Sequence, residues 1–178
     1  EEGHALNDQV LLVDSFLNHQ VDPVLMQAVG EEFARRFADA DITRVATIES
    51  SGIAPAVMTA LTMRVPLVIM KKSVSSILKD GILQTEVFSF TKNASYQLTL
   101  KSKFVRPGDK VLLIDDFLAN GNALNGLTEL VEQAGARLAG AVIAKAFQPG
   151  LGKLREVGYT VEVLAPVSRM AENVIEFE

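Results

Sequence analysis

The run Lys110-Val-Leu-Leu-Ile114 is uninterrupted in its apolar side chains and is followed at once by Asp115-Asp116. A strand that is apolar on both faces has to be covered on both faces. Buried parallel sheets meet that requirement, whereas a sheet with one solvated face shows alternation. The run therefore predicts an interior strand of a mostly parallel sheet flanked by helices, an α/β fold. Two carboxylates cannot join such a core cheaply, so the strand is expected to end at Asp115-Asp116 and to present both acids at its carboxyl end, where open α/β sheets bind ligands. Asn120-Gly121 then opens a helix carrying Leu124, Leu127, Leu130 and Val131 and ending near Gly135.

The flanking sequence repeats this unit. Asp22-Pro23 reads as an N-cap followed by a first-turn proline, and Leu25, Val29, Phe33 and Phe37 recur at helical spacing. Arg44–Ile48 is a short strand, Glu49-Ser50-Ser51-Gly52 a loop, and Ile53–Met63 a helix; Val65–Met70 is the next strand, with its proline early. Between Lys71 and Lys103 the composition turns polar, and alternation in Thr85–Phe90 and Tyr96–Leu100 predicts a β-hairpin or lid. Arg106-Pro-Gly-Asp109 marks a turn before the central run. Leu138–Ala144 is a further strand, Leu151–Val157 a short helix and Tyr159–Leu164 a final strand. The 178 residues fall within the range of one domain, read as 1–178.

Composition narrows the function. The net charge of −5 disfavours non-specific nucleic-acid binding, which needs an excess of Lys and Arg to neutralise phosphates. There is no Cys, so disulfides and thiolate metal sites are excluded and the cytoplasm is the expected compartment. No apolar run approaches the roughly 18 residues needed to span a bilayer, so no membrane association is expected. The first residue is Glu1, so further residues are expected ahead of it, and nothing near it reads as a signal peptide.

Val111-Leu-Leu-Ile-Asp-Asp-Phe-Leu-Ala-Asn-Gly-Asn-Ala123 carries the chemistry. The amides of a helix N-terminus and a small glycine-containing loop bind a phosphate dianion, and carboxylates just before them accept hydrogen bonds from sugar hydroxyls. Phosphate beside a diol points to ribose 5-phosphate. On the residues alone, a metal-ligating or turn-capping Asp pair stays open.

This segment resembles the phosphoribosyl-pyrophosphate signature of the type I phosphoribosyltransferases. Val13-Asp-Ser-Phe-Leu-Asn-His-Gln20, Glu49-Ser-Ser-Gly-Ile-Ala-Pro55, Ser89-Phe-Thr-Lys92 and Lys145-Ala-Phe-Gln-Pro149 are similar to the bacterial xanthine branch, so the likeness covers nearly the whole chain. It implies the type I phosphoribosyltransferase fold, with a hood at about 10–20 and a flexible lid at about 73–92. It also implies transfer of the phosphoribosyl group to xanthine, releasing pyrophosphate, in purine salvage. By resemblance, Asp115 and Asp116 hold the ribose hydroxyls and form the catalytic pair. Ala119, Asn120, Gly121, Asn122 and Ala123 cradle the 5′-phosphate, with Asn120 where Thr is commoner. Ser50, Ser51 and Gly52 form the pyrophosphate loop, often with a strained peptide. Lys71 or Lys72 faces pyrophosphate, and the sequence does not choose between them.

The hypoxanthine-guanine branch usually has an acid three residues after the second Asp. Here that residue is Ala119, as in the xanthine and adenine branches. Xanthine, partly anionic near neutrality, needs little help with its proton. Leu11, Asn18, Lys145 and Phe147 are assigned to the base by the same resemblance: Lys145 toward an exocyclic oxygen, Phe147 against the ring, Asn18 at a carbonyl–imino edge and Leu11 through its backbone. The chain reads about two residues shorter than its relatives before Lys145, an even shift that keeps strand facing. His19 has no separate claim on catalysis, and Asn18-His19 also suits a plain turn.

Mg²⁺ bound with phosphoribosyl pyrophosphate is the expected cofactor, with no protein side chain assigned to the metal, and a homodimer is the expected assembly. Three rivals are a phosphoribosyl-pyrophosphate-sensing regulator, which lacks a visible DNA-binding segment here, a transferase for guanine, hypoxanthine or adenine, and a metal-dependent phosphohydrolase, whose partner residues are missing.

Overall fold

Side chains alternate along the central strand and divide the core in two. Leu112 and Ile114 are buried with Phe33, Phe37, Val45, Ala56 and Ala60 on one side. Val111 and Leu113 are buried with Leu98, Leu100, Leu124 and Leu127 on the other. The computed structural model describes residues 3–6, 11–73, 80–89, 93–118, 121–147 and 160–177, with 141–147 as backbone.

The chain begins with two short paired strands, β1 (His4–Ala5) and β2 (Leu11–Leu12), and a π-type turn over Asp14–Asn18. Helix α1 (Pro23–Arg36) follows, then β3 (Arg44–Ile48), α2 (Ile53–Met63) and β4 (Leu67–Met70). A hairpin of β5 (Ile82–Ser89) and β6 (Ala94–Lys101) leads to β7 (Lys110–Leu118), α3 (Asn122–Gln133), β8 (Arg137–Phe147), β9 (Val161–Ala171) and β10 (Val174–Phe177). The main sheet has the order β10-β9-β8-β7-β3-β4, parallel throughout except for β10 against β9. Helices α1 and α2 contribute to one core and α3 with the hairpin to the other.

Local chemistry explains the elements. Asp22 caps α1 as predicted, its Oδ1 accepting from the amides of Val24 and Leu25 at 2.9 and 3.1 Å, with Pro23 at the first position. Strand β4 begins two residues after the predicted Val65, and Pro66 has no amide to give to a ladder.

Other strand boundaries also differ from the sequence reading. Strand β7 continues to Leu118, so Asp115 and Asp116 lie within it; the ladder to β8 runs through Phe117–Lys145 and Leu118–Ala146 and keeps the backbone paired past the change to acidic side chains. Strand β8 likewise runs to Phe147, so Lys145 sits inside a strand rather than closing one. Strand β9 extends to Ala171 and turns back into β10, an antiparallel edge that the mixed polar sequence there did not announce. The predicted helix at 151–157 lies outside the described residues.

The hairpin is anchored at two places. Lys71 and Thr99 exchange backbone hydrogen bonds of 3.0 and 2.8 Å, joining the end of β4 to β6. Along α3, the Thr85 hydroxyl donates to Glu129, Gln133 Nε2 to the Gln84 carbonyl and Asn122 Nδ2 to the Phe88 carbonyl. A Cβ at Gly126 would overlap Val87. Asn122, Gly126, Glu129 and Gln133 form one face of α3, and β5 lies along it. The strand within the predicted lid, Ile82–Ser89, is therefore docked; residues 74–79 and 90–92 fall outside the described set.

Replacing Gly126 by Val should push β5 away from α3 and lower stability by about 1–3 kcal/mol. Urea unfolding monitored by circular dichroism measures this, and an unchanged midpoint would contradict the close docking.

Candidate active site

A cleft of about 640 Å³ opens between the carboxyl ends of the parallel strands, the N-terminus of α3 and the hairpin. Strand β7 supplies Asp115, Asp116 and Phe117, the start of α3 supplies Gly121, Asn122 and Ala123, and the loop after β3 supplies Ser51. Lys72 follows β4, Phe88, Ser89 and Tyr96 come from the hairpin, and Asn18 comes from the π-type turn.

Two glycines shape the floor. Gly121 precedes α3 at φ 84°, a conformation that costs other residues energy, and no side-chain hydrogen bond caps the helix among the described residues. The first-turn amides have no partners within the helix, and they face ligands when a cleft opens there. At Gly52 a Cβ would overlap the Thr47 hydroxyl, which donates to the Ile114 carbonyl at 2.7 Å, and would lie 3.5 Å from Asp115 Cα. The absence of that carbon lets the loop after β3 lie against β7. The Glu49–Ser50 peptide in this loop is cis.

Glu49 ties the loop to the end of β4. Its carboxylate accepts from the Lys72 amide at 2.6 Å and from Lys71 Nζ at 3.2 Å. Burial alone would raise its pKa, but these hydrogen bonds and the two lysine charges outweigh burial and hold it below the ordinary value. The two lysines thus separate: Lys71 pairs with Glu49, while Lys72 lines the cleft with its ammonium 5.5 Å from the centre of the Tyr96 ring.

Asp115 is buried, and its Oδ1 accepts from the Asp116 amide at 2.9 Å. Burial, followed by the charge of Asp116, pushes its carboxyl well above the ordinary carboxylate value, with Lys72 opposing the shift. Tyr96 is also raised, first by burial and then by the charge of Asp115. The cleft thus sets a carboxylate pair and a helix N-terminus opposite a lysine ammonium. That arrangement suits an anionic ligand which also carries hydroxyl groups.

The phosphoribosyl transferase domain model matches residues 21–177. The chain belongs to the phosphoribosyltransferase family. It is 58% identical to the xanthine phosphoribosyltransferase of an Exiguobacterium species, over 99% of this chain and 93% of that one. It is 54% identical to xanthine phosphoribosyltransferase 1 of Clostridium botulinum, over 99% and 94% of the two chains. Among solved structures, the adenine phosphoribosyltransferase of Thermoanaerobacter pseudethanolicus superposes with a TM-score of 0.71 at 21% identity, covering 82% of each chain. That of Giardia lamblia in complex with 9-deazaadenine gives 0.71 at 23% identity, covering 82% of this chain and 81% of that one. These structures share the type I phosphoribosyltransferase fold with this chain.

Of the residues singled out from sequence, Asn18, Ser51, Lys72, Asp115, Asp116, Gly121, Asn122 and Ala123 meet in the cleft. Ser50 and Gly52 flank Ser51 in the loop, and Lys71 is turned to Glu49. Leu11 lies in β2 and packs against two buried clusters, that of Ala5, Val167 and Met170 and that of Val13, Leu17 and Met26. Lys145 and Phe147 are placed by backbone register, Lys145 beside Phe117 and Phe147 beside Val167. Ala119 and Asn120 lie outside the described residues. Sequence reasoning missed Tyr96, Phe88 and Phe117 as cleft walls and Glu49 as the clamp. The alternation in Tyr96–Leu100 showed which face Tyr96 shares with Leu98 and Leu100, but not that this face borders a cleft.

A raised Asp115 pKa means that the folded chain disfavours the charged carboxylate. The penalty is present above the ordinary value of 3.8, where the unfolded chain is ionised, and vanishes below it. Asp115→Asn should therefore be more stable than the parent at pH 7, with the advantage shrinking to nothing near about pH 4. Denaturant titrations across that range decide the matter, and a variant less stable at pH 7 would refute the assignment of burial as the cause.

Proposed function

We propose that this chain transfers the phosphoribosyl group of phosphoribosyl pyrophosphate to xanthine, giving xanthosine 5′-monophosphate and pyrophosphate in purine salvage. Full-length identity of 52–58% to proteins named xanthine phosphoribosyltransferase carries this reading. The cleft supports it, because a phosphorylated sugar with a polyanionic leaving group needs the groups gathered there: helix amides, carboxylates and a cation.

In this reading Asp115 and Asp116 accept from the ribose hydroxyls and hold the ring, so that C1 faces the base. The loop 119–123 binds the 5′-phosphate through backbone amides. Ser50, Ser51 and Gly52 take the pyrophosphate with Lys72, whose charge counters the negative charge that grows on the departing oxygen as its bond to C1 breaks. Lys71 acts at one remove, by engaging Glu49. Xanthine reacts as its anion, the proton already given up to solvent, and its nitrogen forms the new bond to C1 from the face opposite the departing pyrophosphate. Asn18, Lys145 and Phe147 hold the base, with Leu11 supplying backbone at the hood. Most of the acceleration comes from orientation.

Mg²⁺ fits the donor set, since the described cleft side chains offer carboxylate and hydroxyl oxygens and no sulfur or imidazole. Asp116, the more open of the two acids, stands nearest in chemistry to such an ion, which would be held mainly by the substrate's own oxygens. When bound, the ion supplies neutralisation of the leaving group.

We also assign the chain to a homodimer in the cytoplasm, acting as a single domain. Exposed Val24 and Leu25 on α1 and Val57 and Leu61 on α2 offer apolar surface for a second copy. The multiply charged substrate is retained inside a cell. Light scattering at twice the chain mass would agree with the dimer.

Purified protein should be assayed with phosphoribosyl pyrophosphate and Mg²⁺ against xanthine, guanine, hypoxanthine and adenine separately. The expected result is the highest kcat/KM with xanthine, loss of turnover on chelation of the metal, and a fall of roughly 100-fold for Asp116→Asn. Preference for another purine would overturn the base assignment, and ligand binding without turnover would move the chain to the sensors.

A further inference from the structure

Two adjacent lysines leave β4, and only Lys72 lines the cleft. The cause is nonlocal. The backbone bridge between Lys71 and Thr99 is antiparallel, so Lys71 shares the side of Thr99, and the next residue falls on the opposite side with Leu98 and Tyr96. Lys72 is then held from two directions: its amide donates to Glu49, and its ammonium lies 5.5 Å from the Tyr96 ring centre, within the range of cation–π attraction. Tyr96 is half-buried and packs against the core beneath the hairpin, so the ring is a firm support. A lysine side chain has several rotatable bonds and is strongly hydrated, and it loses entropy when it meets a ligand. Parking it on an aromatic face beside Asp115 removes part of that loss beforehand.

We propose that Tyr96 is a positioning residue: its ring holds the Lys72 ammonium toward the cleft, ready for the pyrophosphate end of phosphoribosyl pyrophosphate. This rests on the reading of Lys72 as the pyrophosphate contact. The role belongs to the face of the ring and not to the hydroxyl, so Phe at this position serves as well as Tyr, whereas an aliphatic side chain of similar bulk does not.

The test compares Tyr96→Phe, Tyr96→Leu and Lys72→Met, and the double variant Tyr96→Leu/Lys72→Met, by steady-state kinetics with phosphoribosyl pyrophosphate varied at saturating base and then the reverse. Tyr96→Gln is a second ring-less variant in case Leu disturbs the hairpin, and circular dichroism checks the fold of each. The expected result is a KM for phosphoribosyl pyrophosphate raised about three- to tenfold by Tyr96→Leu, in line with a cation–π contact, with the KM for the base unmoved and Tyr96→Phe within twofold of the parent. In the Lys72→Met background, Tyr96→Leu should add nothing, because the two residues act through one contact. Equal effects of Tyr96→Leu in both backgrounds, or a Phe variant as impaired as Leu, would overturn the positioning role. If Lys72→Met itself leaves the KM for phosphoribosyl pyrophosphate unchanged, the pyrophosphate assignment of Lys72 falls, and the positioning role falls with it.

Discussion

The cleft depends on one strand keeping its ladder after its side chains stop being apolar. Strand β7 is sealed on both faces through Ile114 and then carries Asp115 and Asp116 while still paired to β8. A carboxylate in that position is costly unless something answers its charge. The surrounding structure does so in part: the Asp116 amide donates to Asp115, and Lys72 stands across the cleft. The remaining cost falls on Asp115, whose carboxyl stays above the ordinary carboxylate value.

The hairpin forms a wall of the cleft. Its inner face joins the core beneath α3, and its outer end carries Phe88, Ser89 and Tyr96 to the cleft. Asn122 shows how closely these parts are joined, since it opens α3 and also donates to the Phe88 carbonyl. Geometry at the helix N-terminus and geometry at the hairpin are therefore not independent, and a disturbance of one reaches the other through the α3 seam.

Much of this could be read from residue order. The α/β class followed from Val111–Ile114, the start of α1 from Asp22-Pro23, and the carboxylate and glycine floor from Asp115–Ala123. These signals are local: the core period, the cap and the turn residue act on their own neighbours. What stayed hidden was nonlocal. Strand β10 is an edge that exists by pairing with β9, and β1 and β2 are too short to show a period. Where β7 ends is decided by β8 and not by the polarity of Asp115. Which of Lys71 and Lys72 lines the cleft waited on a bridge to Thr99, a partner in a different element, and Glu49 looked like any loop acid until Lys71 and Lys72 were placed beside it.

That bridge has an evolutionary side. Because strand pairing alternates sides residue by residue, the two lysines are not spares for one another: Lys71 ties the loop through Glu49 and Lys72 lines the cleft, and their places are set by counting from Met70. A chain that gained a single residue just before Lys71 would put that lysine in the place Lys72 holds now. A chain with a single basic residue at this point would have to be placed by its register with the hairpin, since charge alone does not tell the lysine that ties the loop from the one that lines the cleft.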